Sequence, residues 1–152
     1  MTRTLPRAVL LAVLLLAGGC APRGGSTGAG NGAVQATDAW SRTSAAGAQV
    51  GVLYLTLTSD HADRLIGVTV PDTVAASAEM HGIYHDAAGQ LAMRALDHVD
   101  LPARAPVAFY PGSMHIMLMG LARPLVAGES FDATLRFRDA GQQVVRVVVR
   151  DE

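Results

Sequence analysis

Residues 114–119 read MHIMLM, three methionines and a histidine in six positions of a chain that holds six Met and five His altogether. Methionine is a versatile core filler, but thioether and imidazole side by side also make a soft metal site. Distribution separates the two readings. Five of the six Met and four of the five His fall between residues 80 and 119, and the remaining Met is the initiator. The alternating segments at 52–58 and 131–150 are built of Leu, Val and Phe with no Met at all. Packing would spread methionine over every strand, so the cluster points to chemistry.

An extended chain sends His115, Met117 and Met119 to one side of MHIMLM and Met114, Ile116 and Leu118 to the other. Ile116 and Leu118 mark the core side. His115 and Met117 are therefore expected to face outward, exposed, beside a Pro111–Gly112 turn whose order suits the central positions of type II. Met80, His81, His85 and Met93 are the other candidate donors. His81 follows a candidate strand and Met93 follows the turn HDAAGQ, so a hairpin can bring both to a neighbouring strand that carries His115 and Met117. Two imidazoles and two thioethers favour Cu(I). Thioethers are neutral and soft, and they need no deprotonation.

The other donors have plainer readings. Met80 and Met114 are expected in packing, Met119 in packing or in support of the site, and His61, His85 and His98 at the surface. Trp40 reads as a core or edge anchor, and Asp60, Asp63 and Asp72 as loop acids. No Ser–His–Asp spacing or glycine-rich phosphate loop stands out, so an enzyme is not expected.

The elements that must hold these groups are short strands. VLYLTLT (52–58) alternates Leu53, Leu55 and Leu57 with Tyr54, Thr56 and Thr58. FDATLRFR (131–138) turns Phe131, Leu135 and Phe137 inward, and QVVRVVVR (143–150) is β-branched. Shorter candidates lie near 64–70, 74–80, 91–99 and 106–110, separated by SDHAD, HDAAGQ, YPGSM, VAGES and RDAGQQ. Strands at roughly ten-residue spacing, with no amphipathic helix and no repeat, predict an all-β sandwich or small barrel.

The N-terminal end reads differently. Arg3 and Arg7 precede an apolar run of ten, AVLLAVLLLA, and then GGC, which has the layout of an export signal over residues 1–20. The run is shorter than the about 20 apolar residues of a permanent membrane span. LLAGGC resembles a lipobox, which makes Cys20 the expected lipidated N-terminus and the protein extracytoplasmic on a lipid tether. Residues 21–33, with five Gly, read as a flexible linker, and 34–152 as one domain. Cys20 is the only cysteine. The mature domain thus has no thiol for a disulfide framework, a zinc ribbon, an iron–sulfur cluster or a blue-copper centre, which favours carrying copper over electron transfer. Past residue 20, ten scattered Arg stand against thirteen acids, a formal charge of −3 with no basic patch for nucleic acid.

Eleven residues separate His81 from Met93, twenty-one separate Met93 from His115, and one separates His115 from Met117. This spacing resembles the motif of the PCuAC family of periplasmic copper chaperones: His, often Met, ten residues, Met, twenty-one residues, His, any residue, Met. The stretches YLTLTS, AEMHG, MRALDHVDLPA and YPGSMHIMLMGLARPLVAGESFDATLRF fit the same family, so the likeness covers about residues 36–150. It implies a cupredoxin-like Greek-key β-barrel. It implies an exposed site for one Cu(I) per chain near one end, on His81, Met93, His115 and Met117. It implies a copper-accepting partner, cytochrome c oxidase or one of its assembly factors, with the dinuclear copper centre of subunit II foremost. A monomer is expected. Gly82 departs from the pattern at the optional Met, and the sequence ends at Glu152 without the His/Met-rich tail of some members, which argues against a second site for Cu(II). The rival roles are a copper buffer for resistance with no dedicated acceptor, and a structural envelope lipoprotein.

Overall fold

The computed structural model describes residues 33–151. The export signal, Cys20 and the linker up to Gly32 lie outside them. The described residues form ten strands and no helix: β1 (Val34–Arg42), β2 (Val50–Ser59), β3 (Asp63–Thr69), β4 (Ala75–His85), β5 (Leu91–Ala95), β6 (Val99–Leu101), β7 (Val107–Phe109), β8 (His115–Leu121), β9 (Ser130–Phe137) and β10 (Gln142–Arg150). Seven of them close a ring in the order β4, β8, β2, β1, β10, β9, β3, which returns to β4 where Val68 faces Ala78. β1 and β10 run parallel and the other ladders of the ring antiparallel. β5, β6 and β7 extend it along β4, β3 and β2. This is the expected all-β, cupredoxin-like barrel.

Alternation carries the fold. Leu53, Leu55 and Leu57 of β2, Phe131, Ala133, Leu135 and Phe137 of β9, and Val145, Val147 and Val149 of β10 all enter one core. Tyr54, on the opposite face of β2, is buried as well, because Trp40 stands opposite it on β1 and stacks at 4.7 Å between ring centres. Trp40 is thus an anchor on the outer face, with the Arg150 guanidinium 5.7 Å from its ring. The Pro111–Gly112 turn forms as expected. Ser113 N–H donates to the Tyr110 carbonyl at 3.0 Å, and Gly112 takes the positive φ of 82° that the third position of a type II turn requires.

Four expectations need correction. β1 was not foreseen, because a bulge between Thr37 and Trp40, with Asp38 at φ 50°, breaks its alternation. The strand near 74–80 continues to His85, pairing with β8 in its first part and with β5 in its second. The stretch 91–99 divides into β5 and β6. Asp63 is no loop acid. It opens β3, is buried, and its carboxylate accepts the backbone N–H of Arg64, Asp139 and Ala140 at 2.7–2.9 Å, tying β3 to the β9–β10 turn.

Candidate metal centre

β4 is the spine of the site. Its period-two alternation puts Met80 in the core and turns Glu79, His81 and Ile83 to the outer face. The ladder to β8 sets His81 directly opposite His115 and Glu79 opposite Met117. The ladder to β5 sets Ile83 opposite Met93. A residue directly opposite shares the face, and its diagonal neighbour is within reach of a long side chain. His81 therefore has His115 across one ladder, Met117 diagonally across the same ladder, and Met93 diagonally across the other. All four expected donors share one face of three adjacent strands, at the end of the barrel where β8 begins.

The imidazole rings of His81 and His115 lie 6.0 Å apart between centres, tilted by 34°. A metal–imidazole bond of about 2.0 Å places a ring centre about 3.2 Å from the ion, so two rings sharing one ion stand up to about 6.4 Å apart. The pair fits a shared ion approached at a wide angle. Its hydrogen bonds fit too. His115 Nδ1 donates to the Ser113 carbonyl at 2.8 Å, which leaves the lone pair on Nε2. His81 Nε2 lies 3.2 Å from Glu79 Oε2, while its Nδ1 is buried without a hydrogen-bond partner among the described residues. A buried polar atom without a partner calls for an explanation, and a role as a metal donor is one.

Exposure departs from the sequence reading. His115 is only 8% exposed and Met117 is half-buried, although both point away from the core as expected. They form part of a trough of about 550 Å³ lined also by Thr43, Ser44, Ala45 and Ala48 of the β1–β2 connection, by Val50, Val52 and Tyr54 of β2, and by Ile83 and Met93. That connection is tied down by backbone bonds from Thr43 N to the Arg150 carbonyl and from Ser44 N to the Leu125 carbonyl, each 3.0 Å. Nothing in the spacing of MHIMLM foretells this wall, since it comes from a segment some 70 residues earlier in the sequence. Met93 alone matches the expected exposure, at 55%. Burial pushes the Tyr54 phenol above its ordinary value, with Arg42 pulling the other way, so the trough holds a neutral hydroxyl rather than a phenolate.

The remaining candidates fall mostly where packing puts them. Met80 is in the core and Met114 packs against it. Met119 is half-buried on the site's face, one pair beyond Met117 and opposite Ser77 and Val50. His61, His85 and His98 are exposed, His98 lying 3.8 Å from Asp100. Sequence reasoning missed Glu79, although its position two residues before His81 on an alternating strand was signal enough. Among the described residues no three His, Cys, Asp or Glu side chains gather around a common point, so a centre here depends on the thioethers.

The fold is that of PCuAC copper domains. A copper-bound PCuAC domain from PmoF2 matches with a TM-score of 0.63 and 26% identity over 78% of this chain and 93% of that one. Two solution structures of DR1885 from Deinococcus radiodurans also match. The Cu(I) form has a TM-score of 0.59 and 26% identity over 75% of this chain and 76% of its own. The apo form has a TM-score of 0.58 and 28% identity over 100% and 97%. Within that class the chain belongs to the LpqE-like lipoprotein family, whose model, "Putative lipoprotein LpqE-like", matches residues 34–149. "Putative lipoprotein Lxx21020" of Leifsonia xyli subsp. xyli (strain CTCB07) is 31% identical over 154 residues, spanning 99% of this chain and 92% of that protein.

Proposed function

We propose that the chain is an extracytoplasmic Cu(I) carrier that binds one ion through His81, Met93, His115 and Met117 and hands it to an acceptor protein. The observation that carries this reading is the pair of imidazoles facing each other across β4 and β8, each with a nitrogen left over, on a face that also holds two thioethers. The copper-bound relatives support it. Copper is cargo in this reading. His81 and His115 supply the fixed part of the cradle, the thioethers select the soft ion, and the apolar walls of Val52, Ile83 and Tyr54 keep bulk water and oxidants from part of it. The acceptor we propose is the dinuclear copper centre of cytochrome c oxidase subunit II, reached by ligand exchange. Lipidation of Cys20 would hold the carrier at the membrane surface where such an acceptor lies, in keeping with the lipoprotein names of its relatives.

Titration with Cu(I) against a competing chelator is expected to give one tightly bound ion per chain. Zn(II), a borderline cation that gains little from thioethers, is expected to bind far more weakly. Equal or tighter Zn(II) binding in direct competition would refute the soft-site reading. The loaded protein is then expected to load a soluble subunit II domain faster than the same copper held by the chelator. A rate no faster would favour buffering over delivery.

Protons compete with the ion for imidazole nitrogen and not for thioether sulfur. Cu(I) affinity is therefore expected to fall on acidification with a limiting slope of no more than about two protons per ion. An affinity flat with pH would remove the histidines from the site.

A further inference from the structure

The two histidines are not equivalent, and one carboxylate makes the difference. An ionised carboxylate only accepts hydrogen bonds, and so does a backbone carbonyl. His115 gives its Nδ1 proton to the Ser113 carbonyl at 2.8 Å and keeps a lone pair on Nε2. His81 has Glu79 Oε2 at 3.2 Å from Nε2, so in the neutral ring the proton sits on Nε2 and the lone pair on Nδ1. That Nδ1 is buried and has no hydrogen-bond partner among the described residues. The opposite tautomer would leave a buried N–H donor unpaired and set two acceptors, Nε2 and the carboxylate, against each other, which is the costlier arrangement.

From this geometry we infer that Glu79 is a positioning residue: it fixes His81 as the Nε2–H tautomer, so that the site offers Nδ1 from His81 and Nε2 from His115. Glu79 can do this without leaving the sheet. It stands two residues before His81 on the same face of β4 and directly across from Met117. Its side chain is half exposed. The inference rests on the Cu(I) reading only for its consequence, since the tautomer is a property of the metal-free protein.

Long-range proton–nitrogen correlation spectra of the metal-free protein, taken where the histidines are neutral, read each tautomer directly. The wild type is expected to show His81 protonated on Nε2 and His115 on Nδ1. Glu79→Gln keeps an acceptor oxygen and is expected to preserve both. Glu79→Ala is expected to turn His81 into a mixture while His115 stays unchanged, which also certifies that the variant is folded. In chelator competition Glu79→Ala is expected to weaken Cu(I) binding by about ten- to a hundredfold, as for other groups that orient a ligand, and Glu79→Gln by no more than about threefold. The inference falls if wild-type His81 carries its proton on Nδ1, or if Glu79→Ala leaves the tautomer unmoved. It also falls if Glu79→Gln weakens binding as much as Glu79→Ala, for the carboxylate would then act as a charge or as a ligand. A chain that bound no Cu(I) would refute the carrier reading and leave the spectra to decide this one.

Discussion

Met117→Ala is expected to weaken Cu(I) binding by more than about 100-fold, beyond the range for groups that only orient a ligand. Its effect on the metal-free protein is expected to stay near 1 kcal/mol or less, because the side chain is half-buried in an open trough and leaves no closed cavity. Ile116→Ala, one residue earlier and fully buried on the other face of β8, is expected to do the reverse. Removing that side chain from a packed core costs about 2–5 kcal/mol, which lowers the melting temperature by roughly 10 °C in a domain of this size, while affinity per folded molecule stays near that of the wild type. Thermal melts with and without Cu(I) read both effects at once, since an ion that binds only the folded state adds stability according to its affinity. Equal destabilisation by the two substitutions, with copper binding intact in Met117→Ala, would make MHIMLM a packing segment.

The second large effect is expected at a residue outside the lining of the trough. Asp63→Ala removes the acceptor of three backbone N–H groups at the start of β3 and in the β9–β10 turn. A hydrogen bond to a charged acceptor contributes about 1.5–3 kcal/mol net, and three that share one carboxylate do not add in full. A net loss of about 2–4 kcal/mol is expected, with Cu(I) affinity unchanged. Asp63→Asn keeps one oxygen and is expected to fall between the two. A change below about 0.5 kcal/mol for Asp63→Ala would place it among ordinary surface positions.

Much of this was legible because the barrel is built on a period of two. Leu53, Leu55 and Leu57, or Phe131, Leu135 and Phe137, declare strand and core side together. The same parity put His115 and Met117 on one side of MHIMLM, whereas the place of His81 and Met93 beside them rested on a hairpin through HDAAGQ and on the family spacing. What stayed hidden depends on events parity does not encode. β1 escaped because the bulge at Asp38 shifts its phase. The reach of β4 past Met80 escaped because its second half changes partner, and Gly82 gives no strand signal. The trough beside His115 escaped because one of its walls comes from residues 43–48, whose sequence TSAAGA holds no large apolar side chain to mark it as a wall. Asp63 looked like a loop acid because only the three-dimensional fold brings Asp139 and Ala140 to it.

The four proposed donors are mounted unevenly. His81, His115 and Met117 stand on strands that belong to the closed ring, whereas Met93 stands on β5, which pairs with β4 alone and keeps every one of its residues exposed. Displacing any of the first three means unzipping a barrel ladder with the core behind it. Peeling back β5 breaks one short ladder and draws no buried side chain of its own out of the core, and such peripheral segments open at the lowest free energy in a fold. For the proposed cargo this makes an asymmetric clasp of three stiff points and one yielding latch. The ion can lose its fourth contact while the others stay in register, and the opening appears on the β5 side. For the proposed carrier, the strand order would then set the side from which an acceptor approaches.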